Sequence, residues 1–163
     1  MVAVLVPIRK APPEVVARVL ARIDAAAAEH KEFWEIVLET DMDQREVTRE
    51  QSFEKMRATW RAMLEADDTY RGDRRSASGL AGGDGKKMRC YTAEQNSLSG
   101  DFLAEVIATA LCTGESNACM RKIVAAPTAG ACGVVPAVLI PLYHRGDVTE
   151  DEIVRGLYVA AGI

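Results

Sequence analysis

Lys122 to Pro136 reads KIVAAPTAGACGVVP, and the organisation of the chain turns on how this stretch is read. After Lys122 it carries no charge, and it holds two prolines, two glycines and one cysteine, Cys132. Pro127 lacks an N–H and restricts Ala126 before it, so a helix arriving from upstream is expected to stop near Ala126. Gly130 and Gly133 allow backbone angles closed to other residues and let a second group approach the main chain closely. Pro136 suits the first turn of a new helix, where its missing N–H costs nothing. The pattern therefore predicts helix, tight loop and helix start, with the Cys132 thiol just before or on the first turn. Unpaired N–H groups and the positive end of the helix dipole lower a thiol's pKa there and favour thiolate as a metal ligand.

Two other readings fit the same letters. Ile123 to Tyr143 is an uncharged run of 21 residues between basic flanks, long enough to span a bilayer. Three prolines and two glycines interrupt it, and lipid does not tolerate irregular backbone. A buried helix–loop–helix with an inert core cysteine is the stronger competitor, because free cysteine is among the most buried residues.

Outward from this stretch, 163 residues give one domain as the default, large enough to bury a core. A net charge of −4 with acidic and basic residues interspersed argues against a nucleic-acid binder. The four cysteines, at 90, 112, 119 and 132, form neither a CxxC pair nor a zinc-finger spacing, and a reducing compartment is the expectation. The opening MVAVLVPIRK has its positive charges after a short apolar core, unlike a signal peptide, so the expected location is the cytoplasm.

In chain order, Val2 to Ile8 is a short apolar arm. Pro12 and Pro13 open a helix with Val15, Val16, Val19, Leu20 and Ile23 on one face. His30 closes it among charged residues. Helical spacing continues through Phe33, Trp34, Val37 and Leu38, and Asp41 to Glu46 reads as a charged turn. Thr48 with Gln51 makes a capping box ahead of a core-facing stripe of Phe53, Met56, Trp60, Met63 and Leu64. Arg71 to Lys87 is rich in glycine, serine and charge. Taken alone it reads as a flexible linker, and it misses the Walker A pattern, with five residues instead of four between Gly79 and Gly85. Successive glycines can also form an anion-binding nest, with Lys86 or Lys87 adding charge. Asp101 starts a helix in which Leu103, Val106, Ile107, Ala110 and Leu111 are expected to be buried. Thr149 and Glu152 cap a last amphipathic helix whose apolar stripe is still running at Ile163. No strand pattern has weight, and the fold class is all-α.

The central string APTAGACGVVPAVL, preceded by ESNACMRKIV, resembles the signature of the alpha chain of bacterial iron–sulfur-dependent L-serine dehydratases. The likeness extends to SASGLAGGDGKKM at Ser76 to Met88 and to LSGDFLAEVIATAL at Leu98 to Leu111. It implies a helical domain with a Gly-rich loop and a helix–loop–helix carrying the APTAGACG motif. Residues 1–163 are read as the N-terminal part of the helical alpha-chain domain, truncated toward its C-terminus. The implied activity is [4Fe–4S]-assisted β-elimination of L-serine to pyruvate and ammonia, with this chain alone expected to be inactive. The resemblance assigns Cys132 to the cluster and implies that its other ligands lie further downstream, outside this chain. Cys112 and Cys119, about 10 Å apart along an unbroken helix, are too far apart to replace them unless Gly114 bends the path. It implies substrate binding by Ser78, Gly79, Gly82, Gly83, Lys86, Thr128, Ala129 and Gly130, and by Asn117, which would either bond the substrate or brace the loop, and it leaves the general base unassigned. Arg121 replaces the glycine usual at its position. The implied partners are L-serine and a serine dehydratase beta chain, with no nucleic acid and no membrane. A homodimer is a further expectation, because the stripe at Ile163 calls for a covering surface. A cysteine desulfidase-like lyase and a non-catalytic helical interaction module are the alternatives.

Overall fold

The computed structural model describes residues 12–94 and 97–163. Among them the chain forms seven α-helices and no strand, as the sequence predicts. They are α1 (Pro13–Glu29), α2 (Phe33–Arg45), α3 (Arg49–Asp68), α4 (Asp84–Ala93), α5 (Asp101–Ala118), α6 (Val134–His144) and α7 (Glu150–Gly162), with a 3-10 turn at Ala129–Ala131. The arm Val2 to Ile8 lies outside the described residues. Two compact units divide the chain: Met1–Met56 with Val154–Ile163, and Arg57–Ile153.

In the first unit α1 ends at His30, whose left-handed backbone lets the Lys31 N–H donate to the Ala26 carbonyl at 2.9 Å. Glu32 and Glu35 then form a reciprocal capping box that starts α2. The expected turn at Asp41 to Glu46 is instead the last turn of α2, which runs to Arg45. Arg45 pairs with Asp41 one helical turn back at 2.8 Å, and this offsets the weak helix propensity of the acidic run. The turn itself falls on Glu46, at a φ of 53°. Thr48 and Gln51 make the expected reciprocal bonds, at 3.0 and 3.3 Å. The core here is Trp34, Val37, Leu38, Val154 and Tyr158, flanked by Phe53 and Met56. Tyr158 donates to Ser52 Oγ at 2.7 Å, and the Ser52 hydroxyl donates in turn to Asp41 Oδ2, so this buried polar chain is satisfied.

In the second unit α5 packs against both α4 and α6. Its buried face differs from the expected one. Ala104, Ala108, Cys112, Glu115 and Ser116 are buried, whereas Leu103, Ile107 and Leu111 are exposed. The reason is close approach. A Cβ on Gly85 of α4 would meet Cys112 Sγ at 2.8 Å, and one on Gly133, just before α6, would meet the Ala110 carbonyl at 2.9 Å. Helices that close need small side chains between them, so the large ones turn outward. Trp60 of α3 is fully buried and meets Tyr143 edge-on, with ring centroids 5.5 Å apart. No helix among the described residues is long and apolar enough to cross a membrane. The run Ile123–Tyr143 is helical only from Val134.

Candidate functional site

Both sequence-singled loops belong to the second unit, and the last turn of α5 holds each of them. The Gly-rich loop comes first. Gly79, Gly82 and Gly83 have φ of 74°, 127° and 85°, values that side chains resist. The loop closes on itself through Ser76 N–H to the Ala81 carbonyl at 2.9 Å and Gly79 N–H to the Ser76 carbonyl at 2.9 Å. Ser78 is exposed and pairs with the Ser76 hydroxyl at 3.1 Å. A Cβ on Gly82 would overlap the Arg74 carbonyl at 2.3 Å, so only glycine fits there.

From Gly83 the chain enters α4, and its first amides point at a carboxylate. Gly83 N–H donates to Glu115 Oε2 at 3.0 Å, while Asp84 and Gly85 N–H donate to Oε1 at 2.7 and 3.2 Å. The Tyr70 hydroxyl adds a bond to Oε2 at 2.5 Å and accepts the Lys86 N–H at 3.0 Å. Burial and the bond to Glu115 push the Tyr70 phenol well above its ordinary value. Glu115 is thus a buried anion on the positive end of α4, the arrangement a helix N-terminus favours. The anion nest suggested by the glycines exists, and in this structure a side chain of the same chain fills it.

The motif loop lies on the opposite side of α5. The helix does not run to Ala126 but stops at Ala118. Met120 at a φ of 59° lets the Arg121 N–H reach back to the Ser116 carbonyl at 2.9 Å. This backbone turn, and not Pro127, terminates α5. The Ala126–Pro127 peptide is cis. Thr128, Ala129 and Gly130 are exposed, and Asn117 Nδ2 donates to the Ala129 carbonyl at 2.9 Å, bracing the loop. Gly130 has neither a left-handed φ nor any atom within 4 Å of a Cβ position, so the special role expected of it falls to Gly133 alone.

Cys132 sits between the 3-10 turn and α6, where the sequence places it, with 2 % of its surface exposed. The expected lowering of its pKa does not occur. Loss of solvent pushes the thiol up and outweighs its bonds from the Cys132 and Gly133 amides. Cys112 is buried under Gly85, Cys119 is half-buried and Cys90 is exposed. Among the described residues no three His, Cys, Asp or Glu side chains come together as a metal site. A cluster anchored by three cysteines does not fit the residues present.

Sequence reasoning missed Glu115 and Tyr70. A signal for Glu115 was there: it is the lone charge between Val106 and Ala118. A single carboxylate in the otherwise uncharged C-terminal part of a helix needs a partner, and the glycine-rich helix start supplies three amides.

The model of the family described as "Serine dehydratase alpha chain" matches residues 28–163. The "Probable L-serine dehydratase, alpha chain" of Bacillus subtilis is 32% identical over 126 residues, which cover 77% of this chain and 42% of that protein. The "L-serine dehydratase, alpha chain" of Peptoniphilus asaccharolyticus is 41% identical over 78 residues, 48% of this chain and 27% of that one. "L-serine dehydratase 1" of Escherichia coli is 43% identical over 53 residues, 32% of this chain and 12% of that one. The chain thus spans less than half the length of the curated relatives it matches. No solved structure matches it significantly. By the extent of the family match, which takes in both loops and the helix between them, the chain belongs to the serine dehydratase alpha chain family.

Proposed function

We propose that the chain is part of an L-serine dehydratase, a lyase that eliminates water from L-serine and yields pyruvate and ammonia, acting in the cytoplasm with a beta chain. The observation that carries this reading is the family match over residues 28–163, superposed on a geometry in which one helix end fixes both loops of the motif. In this reading Thr128, Ala129 and Gly130 face the substrate, and Asn117 holds their loop in place. Ser78, Gly79, Gly82 and Lys86 bound the second loop. A substrate carboxylate at the Gly83 amide would have to displace Glu115. An iron–sulfur cluster, the Lewis acid for the leaving hydroxyl in such an enzyme, would take most of its ligands from outside this chain. Cys132 would join it only after exposure and loss of its proton.

The test is pyruvate release from L-serine and L-cysteine by the anaerobically purified complex of this chain with its beta chain. Serine turnover that falls at least tenfold in Asn117→Ala, with unchanged folding, is the expected result. Faster turnover of cysteine would make the enzyme desulfidase-like, and no turnover of either would overturn the lyase reading. The chain alone is expected to turn over neither.

A further inference from the structure

A cleft of about 570 Å³ opens in the second unit between the C-terminal ends of α3, α4 and α6 and the first half of α5. It lies away from the motif loop: α6 runs from that loop at its start to His144 at its end, and 11 residues at about 1.5 Å each put them roughly 15 Å apart.

The cleft carries both signs of charge. Asp67 is buried and already paired, its Oδ1 accepting from Arg89 Nη2 at 2.6 Å. Asp68 and Glu105 also line it and have no hydrogen bond or ion pair among the described residues. Arg145 lies over the Phe102 ring at 5.3 Å and pairs through its Nε with Asp147 at 3.1 Å, and a guanidinium has further N–H groups to offer a second carboxylate. His144 stands beside it on the Asp67 side. Phe102 is one turn before Glu105 on α5, and Arg145 and Glu105 both line the cleft.

A divalent cation is a poor match, since no three acidic or imidazole groups converge and Arg89 already occupies Asp67. A simple anion would meet the unpaired carboxylates. A small molecule with a positive and a negative end satisfies both sets. We propose that this cleft binds a free α-amino acid, its ammonium on Glu105 and Asp68 and its carboxylate on Arg145, at a place distinct from the motif loop. The inference stands on the charges of the cleft and does not depend on the lyase reading.

The experiment is a titration of the ¹⁵N-labelled chain with glycine and L-serine, with acetate, methylammonium and magnesium chloride as half-ligand and metal probes. Saturable amide shifts at Arg89, Glu105, Thr109 and Arg145 are expected with either amino acid, at least tenfold weaker with acetate or methylammonium. Arg145→Gln and Glu105→Gln should each weaken binding about tenfold or more. Asp68→Asn, on an exposed helix end, serves as a second acidic variant should Glu105→Gln disturb the fold. The proposal is overturned by any of four results: no saturation, shifts confined to residues 128–133, acetate or magnesium matching glycine, or binding that survives both an acidic variant and Arg145→Gln. Because binding is read on the chain itself, absence of lyase turnover leaves the outcome unaffected.

Discussion

Removing the Glu115 carboxylate is the sharpest available perturbation of the site, and its cost follows from the geometry. Four donors converge on it: the Tyr70 hydroxyl and the amides of Gly83, Asp84 and Gly85. In Glu115→Ala the Tyr70 hydroxyl can turn elsewhere and the exposed Asp84 can find water. The amides of buried Gly83 and Gly85 are left without acceptors, at about 1–3 kcal/mol each. Loss of negative charge at the start of α4 adds about 0.5 kcal/mol. The total of about 3–6 kcal/mol is a large share of the 5–15 kcal/mol that typically holds a domain together. Glu115→Gln should fall between alanine and wild type. With its oxygen toward Asp84 and Gly85, its NH₂ group replaces Oε2. Tyr70 can then accept instead of donate, but the Gly83 N–H faces a donor, and one lost partner costs about 1–3 kcal/mol. Urea denaturation gives the free energies, and hydrogen exchange at the amides of Gly83, Asp84 and Gly85 reports the site directly. An alanine variant within about 1 kcal/mol of wild type, with those three amides still protected, would refute the account. So would a glutamine variant as costly as alanine, since charge and not the number of acceptors would then dominate.

Alanine at two motif glycines should separate sharply. At Gly133 the new Cβ meets the Ala110 carbonyl at 2.9 Å and should cost about 1–3 kcal/mol in thermal unfolding, whereas at Gly130 nothing lies within 4 Å and the change should stay within about 0.5 kcal/mol; equal effects would contradict the packing of α6 on α5. Burial pushes the Cys112 thiol up to about 11. The folded chain therefore holds that proton more tightly than the unfolded one, whose thiols titrate near about 8.5. The resulting stability is fully present below about pH 8.5 and is lost as pH rises toward about 11, by about 3 kcal/mol. Urea midpoints measured across that range should fall less steeply in Cys112→Ala, and identical slopes would remove the assignment. A thiol reagent at pH 8 should modify Cys90 at once and Cys119 more slowly, reaching Cys112 and Cys132 only on unfolding. Mass mapping of the labelled cysteines tests that order, and fast labelling of Cys132 would show its thiol to be open.

The helices were legible wherever a local device announces them. Pro13 opens α1, Thr48 with Gln51 precedes α3, and Thr149 with Glu152 precedes α7, each a short-range pattern whose partners are fixed by helical geometry alone. The errors arise where a distant residue decides. Asp41 to Arg45 reads as a turn by composition, yet Asp41 is held by Arg45 and by Ser52, and the second of these comes from another helix. On α5 the stripe of Leu103, Ile107 and Leu111 is the more hydrophobic one and so reads as the core. The opposite face is buried because its alanines and Cys112 allow Gly85 and Gly133 to come close. Periodicity reports how apolar a face is, and the approach distance between helices depends on how small it is.

The same distinction separates which site residues are free to act. A glycine nest reads as a ligand group because it offers N–H donors, and the resemblance gives the asparagine beside the motif loop either a ligand or a bracing role. In the fold the nest donates to Glu115 and the asparagine to Ala129, and both acceptors belong to this chain. Glu115 and Asn117 are two residues apart, so they leave α5 on opposite sides, about 200° around the helix axis. One rigid helix end thereby sets the position of two loops whose own side chains are mostly too small to pack. Where glycine and alanine predominate, a loop has few contacts of its own to fix it, and an anchor supplied from a neighbouring helix is the available way to hold its backbone in one shape. Thr128, Ala129 and Gly130 stay exposed on a loop whose shape is set from Asn117 on α5.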